Sequence, residues 1–235
     1  MHCNFYVSDW YNGHMTKTSQ TQQAIGILGG TFDPVHLGHL RLALELHDSL
    51  NLERVHIIPC FRPVHRKFPT ASPEQRLAMV ECAVKGETAL FADDREIRRQ
   101  NPSFMIDTIL DMRKEMPGTP LCLLLGIDAF LGFSSWHRWR EILNETHIVV
   151  AHRPQYQLPT EGVIADLLKE NLQQDQSYIH KHMSGGILLM PITQLEISAS
   201  DIRKQIAMGR NPRYLLPDSV YNYIKQHGTY SISRI

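Results

Sequence analysis

The chain has 235 residues, 43% of them hydrophobic, with 24 basic and 24 acidic side chains. That is ordinary apolar content for one large domain or two small ones, and the balanced charge supplies no overall field for nucleic acid or a membrane surface. No stretch approaches the roughly 18 apolar residues of a membrane span, and the four cysteines form no Cys-x-x-Cys pair, so Cys60 and Cys122 read as buried reduced thiols of a cytoplasmic protein.

Residues 1–23 are polar, with Phe5, Tyr6, Trp10 and Tyr11 as isolated aromatics, and lack the basic start and apolar core of a signal peptide. They read as a flexible extension, or a docking arm, ahead of a single domain spanning 24–235. Ala24 to Leu28 is predicted as a buried strand. Leu37 to Leu50 carries Leu37, Leu40, Leu42, Leu44, Leu46 and Leu50 on one broad face and is predicted as a helix. Between them lies Gly29-Gly30-Thr31-Phe32-Asp33-Pro34-Val35-His36-Leu37-Gly38-His39. A strand, a glycine turn and a helix start make an anion site, because amides at a helix N-terminus lack intrahelical partners and the helix dipole favours negative charge there. Gly29, Gly30 and Gly38 permit close approach to the backbone, and His36 and His39 can donate to phosphate oxygens. Two histidines at this spacing also occur on plain helix surfaces and as half a metal site. The glycines, the Asp33-Pro34 break and the strand–turn–helix setting favour phosphate, although the spacing matches neither the dinucleotide fingerprint nor the P-loop.

Val55 to Pro59 is predicted as a second strand, followed by the basic, proline-punctuated loop Cys60 to Lys67. That loop reads either as a solvated turn or, lying at a strand's carboxyl end, as a ligand loop. Ser72-Pro73-Glu74-Gln75 opens a helix that Gly86 ends. Ala89 to Ala92 is a short strand, Ile97 to Asn101 a connector, and Pro102-Ser103 the start of another helix whose apolar side includes Phe104, Ile106 and Ile109.

Leu121 to Leu125 is a continuous apolar run, as a central parallel strand requires. Asp128, just beyond it, either accepts ribose hydroxyls or caps a helix. Trp136 and Trp139 are three apart and fit one helix face. Trp139 is expected in the core, while the Trp136 indole suits a flat heterocycle. Thr146 to Ala151 is a fifth strand, and Arg153 before Pro154 is held extended. One amphipathic helix lies near 163–172, and Gly186 to Met190 is the last strand. Ser198 or Ser200 then caps a helix that stops at Gly209. Arg203 in its first turn opposes the helix dipole, and an anion bound there would account for it. A closing helix spans 218–226, with Gly228 beyond its end.

The segment from Gly29 to His39 resembles the signature of bacterial nicotinate-nucleotide adenylyltransferases, members of the nucleotidyltransferase group that carries an H-x-G-H motif. The likeness runs from about Ala24 to Gly228. It implies an α/β fold, a Rossmann-like open parallel sheet with helices on both faces. It also implies transfer of the adenylyl group of ATP to nicotinate mononucleotide, with Mg²⁺ accompanying ATP. By this resemblance His36, His39 and Arg203 act on the phosphates. Gly29, Gly30, Thr31, Phe32, Gly38, His65, Arg66, Gly126, Asp128, Ile197, Ser198 and Ser200 surround ATP. Phe104, Met105, Trp136, His137 and Arg153 surround the mononucleotide. Phe104-Met105 stands where the family has Tyr-Thr, so the threonine hydroxyl is missing here. No resident metal, nucleic acid or membrane partner is implied, and a homo-oligomer is left open. Nicotinamide mononucleotide or phosphopantetheine as acceptor, and a non-catalytic nucleotide sensor, remain alternatives.

Overall fold

The computed structural model describes residues 22–64, 68–152, 158–193 and 195–231. Within them six strands form one sheet: β1 (Ile25–Gly30), β2 (Val55–Pro59), β3 (Leu90–Ala92), β4 (Leu121–Gly126), β5 (His147–His152) and β6 (Ile187–Pro191). Every pairing is parallel, and the spatial order is β3-β2-β1-β4-β5-β6. The helices are α1 (Leu37–Leu50), α2 (Pro73–Val84), α3 (Arg95–Arg99), α4 (Met105–Glu115), α5 (Ile127–Leu131), α6 (Trp139–Glu145), α7 (Val163–Asn171), α8 (Tyr178–Lys181), α9 (Ala199–Ala207) and α10 (Asp218–His227).

The run Leu121 to Leu125 shows why the central strands are apolar throughout. Cys122 and Leu124 face a core shared with α1, α2, α9 and α10, while Leu121, Leu123 and Leu125 face a second core shared with α4, α5, α6 and α7. A strand covered on both sides has no solvent face for polar residues. Strand order reverses between β1 and β4, because the chain winds outward from β1 to β3 and then returns to β4 on the other side. In open parallel sheets the crevice beyond the carboxyl ends at such a reversal is where ligands bind. The loops after β1 and β4 therefore meet at the preferred place.

Most predicted elements stand where expected, and α1 has the predicted bounds. Ser72 caps α2 by accepting from the Gln75 amide at 3.2 Å. Three readings change. The stretch read as a connector from Ile97 begins inside a helix, because Ile97 to Arg99 form the second half of α3, with Ile97 buried. The helix expected from Pro102-Ser103 begins later, with Phe104 as its N-cap, because Ser103 is engaged elsewhere: its Oγ accepts from the amides of Phe61 (2.9 Å) and Arg62 (3.3 Å). Trp136 and Trp139 do not share a helix face. Arg138 (φ 52°) separates them, and α6 begins at Trp139. Both rings instead lean on Phe133, at 5.6 and 5.8 Å between centroids. Trp139 is only partly buried, packed against the second core.

Cys60 and Cys122 are buried free thiols, as expected. No helix among the described residues is long and apolar enough to cross a membrane. Of the expected N-terminal extension, residues 1–21 lie outside the described residues. Gln22 and Gln23 bond the folded body, through Thr119 Oγ1 (2.7 Å) and the Asn51 carbonyl (3.2 Å).

Candidate active site

The β1–α1 loop turns sharply at Phe32, whose φ is 50°. His36 then serves as the N-cap of α1 in extended conformation. Its backbone amide donates to Nδ1 of His39 at 3.3 Å, so a neutral His39 carries its ring proton on Nε2. The two imidazoles stack at 3.6 Å between centroids, and the Phe32 ring meets His39 edge-on at 5.0 Å. His36 is 6% exposed, and its Nδ1 is buried with no hydrogen-bond partner among the described residues. Burial pushes its pKa down to about 4, so it is a neutral imidazole at neutral pH.

The glycines of the loop have identifiable neighbours. A Cβ on Gly29 would lie 2.3 Å from the Met105 methyl, one on Gly30 would lie 2.9 Å from the Phe32 ring, and one on Gly38 would lie 3.1 Å from the His36 ring. The backbone here accommodates the site's own side chains closely, beyond any room left for a ligand. Among the first amides of α1, that of Leu37 is spent on the Leu215 carbonyl at 3.0 Å.

Asp33 ties this loop to three other parts of the chain. It is 5% exposed. Its Oδ1 accepts from the Tyr230 hydroxyl (2.7 Å) and the Ala71 amide (3.1 Å), and its Oδ2 accepts from the Thr70 amide (2.9 Å). Arg203 of α9 donates to the Asp33 carbonyl and lies 3.5 Å from its Oδ2. The Arg203 guanidinium also donates to Ser200 Oγ at 3.3 Å. The start of α9 thus faces the start of α1, and the Leu195 carbonyl lies 3.4 Å from where a Gly38 side chain would begin. Ser198 occupies the N-cap position of α9, but its hydroxyl makes no capping bond. The first turn of α9 therefore has no side-chain acceptor from its own cap.

Of the predicted mononucleotide residues, Met105 reaches the β1–α1 loop and Phe104 meets His137. Phe104 and His137 lie 4.3 Å apart between ring centroids. Met105 covers Gly29, and Trp136 sits half-buried nearby in sequence on the turn that follows Phe133–Ser135. Asp128 is exposed in the first turn of α5, whose N-cap is Gly126, so it is not a helix cap. Ile197 immediately precedes Ser198 and is partly buried against the first core. The candidates His65, Arg66 and Arg153 fall outside the described residues.

Arg76, Asp33 and Tyr230 were not singled out from sequence. Arg76 had a local signal: it stands one turn before Met79 and Val80 on the buried stripe of α2. Among the described residues no group of three or more His, Cys, Asp or Glu side chains could hold a metal ion. A cavity of about 460 Å³ between α3 and α4, lined by Arg95, Arg98, Arg99, Asp111, Lys114 and Glu115, includes none of the predicted site residues.

Comparison with known proteins matches residues 27–205 to the cytidylyltransferase-like family. A protein of Aeromonas hydrophila named "Probable nicotinate-nucleotide adenylyltransferase" is 47% identical over 206 residues, covering 88% of this chain and 96% of that protein. A namesake from Methylococcus capsulatus is 42% identical over 208 residues, covering 88% and 99%. Among solved structures, the nicotinic acid mononucleotide adenylyltransferase of Plasmodium falciparum complexed with NaAD aligns with a TM-score of 0.68. That alignment has 16% identity and covers 89% of this chain and 98% of that one, a likeness of fold.

Proposed function

Because this chain belongs to the nicotinate-nucleotide adenylyltransferases within the cytidylyltransferase-like family, we propose that it transfers the adenylyl group of ATP to nicotinate mononucleotide. The products are nicotinate adenine dinucleotide and pyrophosphate, a step of NAD biosynthesis. The observation that carries the site assignment is the junction of α9 with the β1–α1 loop. Arg203 is anchored on Asp33, so two helix starts converge beside the stacked pair His36 and His39. Convergent helix starts, a guanidinium and imidazole N–H donors suit a polyphosphate.

In the reaction the 5′-phosphate of the mononucleotide attacks the α-phosphorus of ATP in line, and the bond to the β-phosphate oxygen breaks as pyrophosphate leaves. No side chain needs to become covalently modified. Catalysis is positioning together with stabilisation of charge as it moves onto pyrophosphate. His36 and His39 donate to the α- and β-phosphate oxygens, the neutral His36 through a ring N–H. Arg203 binds the triphosphate. Gly29, Gly30, Thr31, Phe32 and Gly38 shape the phosphate loop, with His65 and Arg66 beyond β2. Gly126 borders ATP and Asp128 accepts its ribose hydroxyls, while Ile197, Ser198 and Ser200 close the phosphates from the α9 side. Phe104, Met105, Trp136, His137 and Arg153 receive the mononucleotide. Mg²⁺ would come with ATP as part of the substrate and would supply neutralisation of charge on the phosphates, with no carboxylate cage needed from the protein. Residues 24–235 act as one domain, and the free thiols of Cys60, Cys82 and Cys122 fit a cytoplasmic setting.

The test is pyrophosphate release from Mg²⁺ and ATP with nicotinate mononucleotide, nicotinamide mononucleotide or phosphopantetheine as acceptor. Release is expected with nicotinate mononucleotide foremost. Preference for another acceptor would reassign the substrate, and silence with all three would sink the reading.

A further inference from the structure

Arg76 of α2 is 0% exposed. Its hydrogen-bond partners among the described residues are all neutral. Nη1 donates to the Thr31 carbonyl (2.8 Å) and contacts Cys60 Sγ (3.7 Å), Nη2 donates to the Phe61 carbonyl (3.2 Å), and Nε donates to the Ala71 carbonyl (3.3 Å). No carboxylate hydrogen-bonds it among the described residues, and burying a charge in that way is unfavourable. The position has no packing need for one, because the same stripe continues as Met79 and Val80, both fully buried. An apolar side chain of similar length would fill the space but leave three carbonyls without their donor.

The three carbonyls explain the choice. Thr31 lies in the loop before His36, Phe61 just past β2, and Ala71 just ahead of α2. Only a guanidinium offers planar, divergent donors that reach three carbonyls at once. The contacts continue outward from both ends. Beside Thr31, the Phe32 ring packs edge-on against His39. The Phe61 amide is held by Ser103, which adjoins Phe104 and Met105.

We propose that Arg76 is a positioning residue for adenylyl transfer: its buried fork fixes the phosphate loop in register with the segment beyond β2, and so places His39 against the reacting phosphates. This rests on the functional reading above. Arg76→Lys keeps the charge but loses the fork, and Arg76→Met keeps the volume but loses both.

The experiment measures pyrophosphate release by the full chain for the wild type, Arg76→Lys, Arg76→Met, His39→Ala and the double variant Arg76→Lys/His39→Ala, with cooperative melting as the check of folding. Both Arg76 variants are expected to fold and to lose about 10- to 100-fold in kcat, with KM for ATP moving less than about three-fold. In the His39→Ala background, Arg76→Lys is expected to cost less than about three-fold, because the contact it positions is gone. Three results would each overturn the proposal: kcat per folded molecule within about two-fold of wild type, an equal loss in both backgrounds, or failure of both Arg76 variants to fold. An equal loss shows that Arg76 acts by a route other than His39, and failure to fold assigns it to stability alone. A silent wild type sinks the functional reading and this proposal together, whereas an active wild type with unaffected variants sinks only this one.

Discussion

Arg203 and Asp33 are 170 residues apart in sequence, yet the Arg203 guanidinium donates to the Asp33 carbonyl and stands 3.5 Å from its carboxylate. The same carboxylate accepts two backbone amides and a phenol. Asp33 is therefore the point through which the first loop, the lead-in to α2, the start of α9 and the C-terminal segment are held together.

Asp33→Ala should destabilise the fold by about 2–4 kcal/mol, because buried donors lose their acceptor, and should lower activity per folded molecule as well. Urea unfolding and pyrophosphate release check both parts. A variant with normal stability would deny Asp33 this role.

His39→Ala should reduce kcat by about 10²-fold or more, the usual loss for one preorganised donor to developing charge. Steady-state turnover at saturating ATP is the measurement. Near-normal turnover would remove His39 from the reacting centre.

His36 should remain neutral through the physiological range, since burial lowers its pKa to about 4. Its imidazole resonances should show no titration midpoint between pH 5.5 and 8. A midpoint near the ordinary value of about 6.5 would contradict the buried geometry.

Stability should fall as the solution is acidified from pH 6.5 towards 4. His147 is fully buried. The Gly186 amide donates to its Nδ1 (3.0 Å), and its Nε2 donates to the His182 carbonyl (2.8 Å). Burial lowers its pKa to about 4, as for His36. Within that window the unfolded chain binds more protons than the folded one, so acid favours unfolding. The contribution is complete above pH 6.5 and on the order of 1–3 kcal/mol per histidine. Urea unfolding at pH 5 and 7.5 should show the difference, and His147→Asn should flatten it. An unchanged slope in the variant would exclude His147 as a source.

Gly29→Ala should disturb the mononucleotide side of the site more than the fold. The new methyl collides with the end of the flexible Met105 side chain, which can swing away for about 1 kcal/mol or less. KM for the mononucleotide should rise, and Met105→Ala in the same chain should restore part of it. Additive effects of the two changes would show that they do not communicate.

Periodicity made the strands and α1 legible, because burial on two faces or one leaves a plain apolar pattern along the chain. Glycine spacing and residue chemistry pointed to His36, His39 and Arg203. Contacts across the fold were less readable. Ser103 holding Phe61 delays the start of α4, and nothing local to Pro102 announces that. Arg76 is locally marked only as an arginine on the apolar stripe of α2, and its role depends on the distant carbonyls of Thr31 and Phe61. The short α3 is dense in arginines and carries too few apolar residues for a periodic signal. Its place depends on partners such as Thr108, whose hydroxyl donates to Glu96 at 2.6 Å.

Tyr230 closes the circuit. Its hydroxyl reaches Asp33 across 197 residues of sequence, so the loop ahead of α1 gains this anchor only once the segment beyond α10 has docked. A chain cut just short of Tyr230 would keep the Thr70 and Ala71 amides on the Asp33 carboxylate and lose the phenol. The order of the β1–α1 loop is thereby coupled to the docking of a segment remote from it in sequence.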